Sequence, residues 1–127
     1  FATTVDEECR RADRAGGGQG TAALLAQFLG RAIEGDRHPR ELSAGERLCL
    51  VLAIQLSARP RVLLVDEPSR GLDAAARALV GGALRAVAAS GTAVLLATHD
   101  GEFAARYATR TLRMSAGRLD ERVGATT

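Results

Sequence analysis

The sequence contains no lysine, since all 17 of its basic residues are arginine. A site that needs a lysine ammonium has no candidate within these 127 residues. Tryptophan is also absent and aromatic residues make up only 3% of the chain, so the core must be built from alanine, leucine and valine. The net charge is +2, with acids and bases interspersed, and we therefore expect no nucleic-acid partner.

Cysteines and long apolar runs are also scarce. Cys9 and Cys49 lie far apart and Cys49 falls inside an apolar run, which predicts buried free thiols in a reducing compartment rather than a disulfide or a metal site. The longest apolar run is shorter than the roughly 20 residues of a membrane span, and no signal peptide is visible. The composition is that of one globular domain. Phe1 stands where a methionine would begin a gene product, so we expect the natural N-terminus upstream.

Hydrophobic periodicity predicts an α/β chain that begins with helices. Residues 4–14 and 21–33 are predicted helices, with a glycine-rich break at 16–20 and a turn-rich connector at 34–40. Residues 45–57 form a helix that is apolar nearly all round, and residues 73–90 form another, with Asp73 as its N-cap.

Two short, continuous apolar runs, residues 61–66 and 92–98, predict parallel strands that are covered on both faces. The helix between them implies a right-handed crossover. Residues 110–121 predict a hairpin that turns at 115–117.

Polar residues follow both predicted parallel strands. The first strand ends in Asp66 and Glu67, and the second is followed by His99. Because such strand ends meet at one edge of a sheet, one carboxylate could hold Mg²⁺ while the other orients a water, with His99 within reach of the same ligand. The alternative is a solvated turn that Pro68 closes. His99 at the neighbouring strand end favours the functional site.

A small polar segment precedes the predicted helix 45–57. Ser43 and Glu46 have capping-box spacing, which explains both residues without a ligand. The box does not explain Gly45, a poor helix former in the first turn. Glycine there lets another backbone or a phosphate approach the free helix N–H groups, so the segment is a candidate anion site that capping does not preclude.

Three motifs together resemble the ATP-binding cassette (ABC) ATPases. "LSAGE" (42–46) resembles the signature motif, "RVLLVDEPSRGLD" (61–73) the Walker B strand, catalytic glutamate and D-loop, and "LLATHD" (95–100) the strand that ends in the switch histidine. The signature departs from the family at Ala44, where glycine is commoner, and at Glu46, where glutamine is. The resemblance covers about 41–119. It implies an incomplete P-loop NTPase-type parallel sheet, with residues 1–40 as part of a helical subdomain and 41–127 as the C-terminal part of the cassette core.

The resemblance also implies roles for individual residues. In this family two cassettes hold two ATP molecules between them, head to tail. Ser43, Ala44, Gly45 and Glu46 would contact the ATP held by the partner cassette. Asp66 would hold Mg²⁺ through water, and Glu67 would polarise the attacking water. His99 would contact the γ-phosphate, and Asp73 would link the two sites. The implied partners are a second cassette and transmembrane transporter subunits, at the cytoplasmic face of the cell membrane.

Two family elements are missing from the sequence. No G-x-x-x-x-G-K-[ST] phosphate loop occurs, and "GGGQGT" (16–21) lacks lysine and follows no strand, so we interpret it as a plain loop. The Q-loop glutamine is missing too. We therefore expect the C-terminal part of a cassette, with a gap in its sheet, exposed strand edges and weak ATP binding on its own.

A finer resemblance concerns the type of transporter. "FATTVDEEC" (1–9) and "DEPSRGLD" (66–73) are similar to energy-coupling factor ATPases, which import vitamins or transition-metal ions. Three alternatives stay open: a cassette ATPase that acts on DNA or ribosomes, a non-hydrolysing module that supplies only a signature face to a partner, and an unrelated α/β binding domain.

Overall fold

Three α-helices precede the first strand. The structure is a computed structural model, which describes residues 4–16 and 20–122. The helices are α1 (Val5–Gly16), α2 (Thr21–Leu29), α3 (Ala44–Ser57), α4 (Ala74–Ala89) and α5 (Gly101–Tyr107), with a 3-10 helix at Pro39–Glu41. The strands are β1 (Val62–Asp66), β2 (Ala93–Ala97), β3 (Thr111–Ser115) and β4 (Arg118–Arg122). The middle of the glycine-rich break, residues 17–19, lies outside the described residues.

The connector that follows α2 supplies hydrogen-bond acceptors for N–H groups at the start of α1. Glu7 N–H donates to Thr4 Oγ1 at 3.1 Å, as the capping-box spacing predicts. Val5 N–H donates to the carbonyl of Arg37 at 2.9 Å, and Asp6 N–H donates to that of Gly35 at 3.0 Å. These bonds supply partners for N–H groups that a helix start leaves without one. They also tie the connector to α1.

Helix α2 is shorter than the sequence predicts. It ends at Leu29 rather than near residue 33, because Gly30 adopts the left-handed conformation at φ 71°. The Gly30 N–H turns back to the carbonyl of Gln27, which closes the helix as a glycine C-cap. The apolar spacing continues past Gly30, so spacing alone does not show that this glycine ends the helix.

The core lies mainly among the helices. Most of its buried apolar side chains come from α1 to α5, while β1 contributes Leu63 and the segment before α3 contributes Leu42. The centre of α3 is entirely buried at Cys49, Leu50 and Ala53, as expected for a helix that is apolar nearly all round. Cys9 and Cys49 are both free and buried, which confirms the predicted thiols, and burial raises the pKa of each to about 11.

Strands β1 and β2 pair in parallel through α4, with a register that runs from Val62 opposite Ala93 to Asp66 opposite Ala97. This pairing confirms the predicted parallel strands joined by a helix, and the right-handed sense of the crossover stays a prediction. The prediction of a sheet covered on both faces is wrong, because Leu64 is 72% exposed and Leu95 60%. The described helices pack against one face only, through partly buried residues such as Val65 and Leu96.

Strands β3 and β4 form the predicted antiparallel hairpin, which turns through Ala116 and Gly117, both at positive φ. Within residues 20–122 the hairpin is a sheet of its own, and β2 does not pair with β3. A gap of one strand between β2 and β3 stays a prediction. Helix α5 is not among the predicted elements, because at seven residues it is too short to show helical periodicity.

Candidate functional site

The start of α3 is a complete capping box. Ser43 Oγ accepts a hydrogen bond from Glu46 N–H at 3.1 Å, and Glu46 Oε1 accepts one from Ser43 N–H at 2.9 Å. Ser43 and the following Ala44 are both exposed. The helix start therefore carries its own cap and still faces solvent with a hydroxyl that has a proton to donate.

Gly45 is explained by the contact between two helices. It is buried, and a Cβ added to it would lie 3.0 Å from Cβ and 3.3 Å from Cα of Ala76 in the first turn of α4. The sequence offers two explanations for this glycine, the close approach of another backbone or of a phosphate. The first is observed, because α4 packs closely against Gly45. Contact with a phosphate at Gly45 stays a prediction.

The carboxylate of Glu46 has a second partner that no sequence pattern indicates. Arg31, just beyond the end of α2, forms an ion pair and hydrogen bond with Glu46 Oε2. The hydrogen bond from Ser43 N–H, together with Arg31, lowers the pKa of Glu46 from its usual value. Arg31 thereby joins the end of α2 to the first turn of α3.

Glu67 sits in a constrained turn directly after β1. Its φ is 47°, in the left-handed region that costs a residue with a side chain about 1–3 kcal/mol of strain. Its N–H donates to the carbonyl of Ala97 at 2.8 Å, which extends the pairing of β1 with β2 by one residue. Surrounding structure therefore fixes where this carboxylate points.

The Glu67 carboxylate is turned toward the end of β2. It accepts hydrogen bonds from the Thr98 hydroxyl at 3.3 Å and from His99 N–H at 2.9 Å, and His99 Nε2 lies 3.5 Å from Oε1. The Glu67 side chain is 18% exposed, whereas that of His99 is 94% exposed. The structure thus brings the two predicted catalytic residues together. The alternative of a merely solvated turn does not describe Glu67.

Asp66 is the last residue of β1, opposite Ala97, and is exposed. Across residues 4–16 and 20–122, no group of three or more His, Cys, Asp or Glu side chains is arranged to hold a metal. Asp66 therefore fits a magnesium ion only where oxygens from water and from a phosphate complete the coordination.

Asp100, one residue beyond His99, is the centre of a hydrogen-bond and ion-pair network that the sequence does not predict. Its Oδ2 accepts a hydrogen bond from the buried Ser69 hydroxyl at 2.9 Å and pairs with Arg77. Its Oδ1 accepts from Phe103 N–H at 3.0 Å and caps α5. The hydrogen bond from Phe103 N–H lowers the pKa of Asp100, with Ser69 and Arg77 acting in the same direction. The polar character of Ser69 and Asp100 inside the quoted motifs is the signal that could have identified them.

The first turn of α4 connects the start of α3 with the segment that contains His99 and Asp100. Asp73 is the N-cap of α4, as predicted, and accepts a hydrogen bond from Ala76 N–H at 2.8 Å. Ala76 contacts Gly45, and Arg77, whose N–H donates to the carbonyl of Asp73 at 2.9 Å, pairs with Asp100. One helical turn therefore fixes the start of α3 relative to the segment that carries His99.

Among the described residues, no helix combines the length and the apolar character that crossing a membrane requires.

The family model that matches this chain is described as "AAA domain, putative AbiEii toxin, Type IV TA system" and covers residues 23–104. A "Putative ABC transporter ATP-binding protein" of Streptomyces coelicolor is 49% identical over 120 residues, which are 94% of this chain and 21% of that protein. The molybdenum import ATP-binding protein ModC of Mycobacterium tuberculosis is 40% identical over 119 residues, 90% of this chain and 32% of that protein. The chain thus spans about a fifth to a third of the length of these curated relatives.

Solved structures give the same fold. An ATP-binding cassette of an ABC transporter superimposes with a TM-score of 0.79 at 19% identity, over 96% of this chain and 56% of the other. The same cassette in its ADP conformation gives a TM-score of 0.77 at 18% identity, over 93% of this chain and 54% of the other. The architecture is therefore that of a P-loop NTPase-type cassette. Since the family model covers more than half of the chain, the chain belongs to the AAA-domain family that this model describes, and the relatives and solved structures support the ATP-binding cassette fragment that the motifs predict.

Proposed function

We propose that this chain supplies the signature, Walker B, D-loop and switch-histidine residues of an ATP-hydrolysing cassette in an ABC transporter. The observation that carries the proposal is the pairing of Glu67 with the end of β2, where Thr98 and His99 both donate to its carboxylate. A carboxylate that is oriented by two donors, and whose neighbour is an exposed imidazole, suits the positioning of a water against a phosphate.

Glu67 would polarise the attacking water. A carboxylate offers about four acceptor positions, and the bonds from Thr98 and His99 N–H occupy two of them. The remaining positions are available to a water. The His99 ring, almost fully exposed, is free to turn toward a γ-phosphate. Phosphoryl transfer depends mainly on positioning and charge, so short side chains on fixed turns are sufficient.

Asp66 would hold Mg²⁺ through water at the end of β1. A bound magnesium ion supplies positive charge that offsets the charge on the phosphates. The exposed position of Asp66 beside the Glu67 turn fits an ion whose other ligands are water and phosphate oxygens.

Ser43, Ala44, Gly45 and Glu46 would contact the ATP of a second cassette, and Asp73 would link the two sites across the dimer. The exposed Ser43 hydroxyl at the start of α3 supports this role. With no lysine in these 127 residues, the phosphate loop would lie outside them, in the same or another polypeptide. Residues 1–40 would be part of the helical subdomain and 41–127 the C-terminal part of the core.

We further propose an energy-coupling factor type transporter that imports a vitamin or a transition-metal ion, with the cassette bound to transmembrane subunits at the cytoplasmic face. The segments "FATTVDEEC" and "DEPSRGLD" support that type. The ModC relative, named for molybdenum import, supports a metal-related cargo.

The test is Glu67→Gln in the full-length natural protein. Removing the charge while keeping the shape should lower ATP hydrolysis by about 100-fold or more and leave ATP binding in place. Glu34→Gln, which changes an exposed glutamate in the connector, is the matched control and should hydrolyse ATP normally. Unchanged hydrolysis in Glu67→Gln would contradict the assignment and favour a module that supplies only a signature face.

A second test uses the 127 residues alone. If the phosphate loop lies outside them, a fluorescent ATP analogue should not bind in the micromolar range. Micromolar binding would mean that these residues contain a complete nucleotide site, contrary to the proposal.

A further inference from the structure

The ion pair between Arg31 and Glu46 joins two elements far apart in sequence. Arg31 lies two residues after the end of α2, and Glu46 lies in the first turn of α3. The Glu46 side chain is only 13% exposed, so its charge is partly withdrawn from water, and Arg31 covers it from the outside at 57% exposure. The pair therefore has a shielded acid and an exposed base.

The negative charge of Glu46 opposes the binding of a phosphate at the start of α3. A helix N-terminus attracts anions through its free N–H groups and its dipole, and a negative side chain in the same turn offsets that attraction. Glutamine, with the same shape and no charge, would avoid the conflict. The capping box holds the Glu46 carboxylate next to Ser43, so the charge cannot swing away without breaking the cap.

Arg47, which is also close to the start of α3, does not pair with the Glu46 carboxylate. Arg47 directs its guanidinium to the backbone carbonyls of Leu42 at 3.2 Å and Arg40 at 3.4 Å, just before the helix. Only Arg31 is paired with the Glu46 carboxylate among the ion pairs of the described residues. Since a guanidinium stays charged at every working pH, this compensation is permanent.

We propose that Arg31 is a positioning residue that neutralises Glu46 and holds it in the capping box, so that the start of α3 accepts the phosphate of a nucleotide carried by a second cassette. This inference rests on the proposed function. Through Arg31, the end of α2 helps to set the anion affinity of α3, although Arg31 itself touches no nucleotide.

The test is a double-mutant cycle in the full-length natural protein. In the protein that keeps Glu46, the wild-type residue, Arg31→Ala leaves an uncompensated carboxylate at the start of α3. It should raise the KM for ATP by about three- to tenfold and change kcat little, because the phosphate is charged in the ground state and the transition state alike. In the Glu46→Gln background, the same Arg31→Ala change should leave KM where it was. Arg11→Ala, which removes an arginine of similar exposure paired with Glu8, is the control and should not change KM.

Two results would overturn the inference. One is an Arg31→Ala variant whose KM stays at the wild-type value. The other is an equal rise in KM in both backgrounds, which would assign Arg31 a purely structural role or a direct contact with nucleotide. Glu67→Gln assayed in parallel separates the two proposals: if it hydrolyses ATP normally, the proposed function fails, whereas its inactivity beside either result above means that only the Arg31 inference fails.

Discussion

The carboxylate of Glu67 accepts a hydrogen bond from the backbone N–H of His99 at 2.9 Å. The register of the two parallel strands creates this contact, because Asp66 lies opposite Ala97 and the next residues of each strand meet beyond the ladder. A slip of one residue would turn every side chain of β1 to the other face. The register that buries Leu63 is thus the same register that places Glu67 beside His99.

Thr98 is predicted to tune this contact. Its hydroxyl donates to Glu67 Oε2 and accepts from Asp100 N–H at 2.9 Å, so it holds both neighbours in place. Thr98→Val keeps the shape and removes both bonds, and should lower kcat of the full-length protein roughly tenfold while ATP binding is retained. Thr98→Ser keeps the hydroxyl and should stay near wild type in the same steady-state assay. Equal activity of the two variants would contradict the role.

Ser43 allows capping to be separated from phosphate contact. Ser43→Ala should lower the free energy of unfolding by about 1 kcal/mol, because the cap is lost. Ser43→Asp keeps an equally good cap but adds a negative charge to the helix start. We expect Ser43→Asp to match wild type in urea unfolding and to lose most ATP hydrolysis. If Ser43→Asp hydrolyses ATP as well as wild type, the start of α3 receives no phosphate.

Gly45 is predicted to set the distance between α3 and α4. In Gly45→Ala the new methyl group meets Ala76 at 3.0 Å, so the helices must move apart, at about 1–2 kcal/mol of unfolding free energy. ATP hydrolysis should fall as well, since the same turn of α4 carries Asp73 and Arg77. Adding Ala76→Gly removes the opposing methyl group and should recover part of both losses. A double variant that is no better than Gly45→Ala would place the cause elsewhere.

Local chemistry made much of this fold predictable. The caps at Ser43 and Asp73 and the hairpin turn depend on residues within four positions of each other, and all agree with the sequence. The two parallel strands were also identified correctly, because a continuous apolar run bounded by turns has few other solutions. Glu67 and His99 meet as predicted because parallel strand ends always share one edge of a sheet.

Long-range pairing was not predictable from the same patterns. Arg31 and Glu46 are 15 residues apart, and Ser69 and Asp100 are 31 apart, so no periodicity links them. Burial of the sheet was overestimated for a related reason. An apolar strand indicates that both faces can be covered, but the sequence of the strand does not say which elements cover them, and the described helices cover one face.

Asp100 should make stability depend on pH in the acid range. Its pKa in the folded protein lies below its usual 3.8, so ionisation favours the folded state. This stabilisation is complete above the unfolded value and is lost as the pH falls through the folded value. The urea midpoint of wild type should therefore exceed that of Asp100→Asn by a constant amount near neutral pH, and the difference should shrink below pH 3.8.

Asn keeps the cap of α5, so the comparison isolates the charge that faces Ser69 and Arg77. Ser69→Ala removes one donor to the carboxylate and should move the acid loss to a higher pH than in wild type. A wild-type advantage that persists unchanged at the lowest pH would show that the charge of Asp100 does not stabilise the fold.

Gly81 and Gly82 are adjacent in α4 and should respond oppositely to the same substitution. A Cβ on Gly81 would lie 2.4 Å from Cε2 of Tyr107, whose ring packs on Phe103 with centroids 4.9 Å apart, whereas a Cβ on Gly82 meets nothing within 4 Å. Gly81→Ala should therefore destabilise the protein by about 1–3 kcal/mol through overpacking. Gly82→Ala should stabilise it by about 0.5–1 kcal/mol, since alanine is the better helix former. Hydrogen exchange of the α4 amides measures both changes locally, and equal signs for the two variants would show that the Tyr107 ring does not occupy the space beside Gly81.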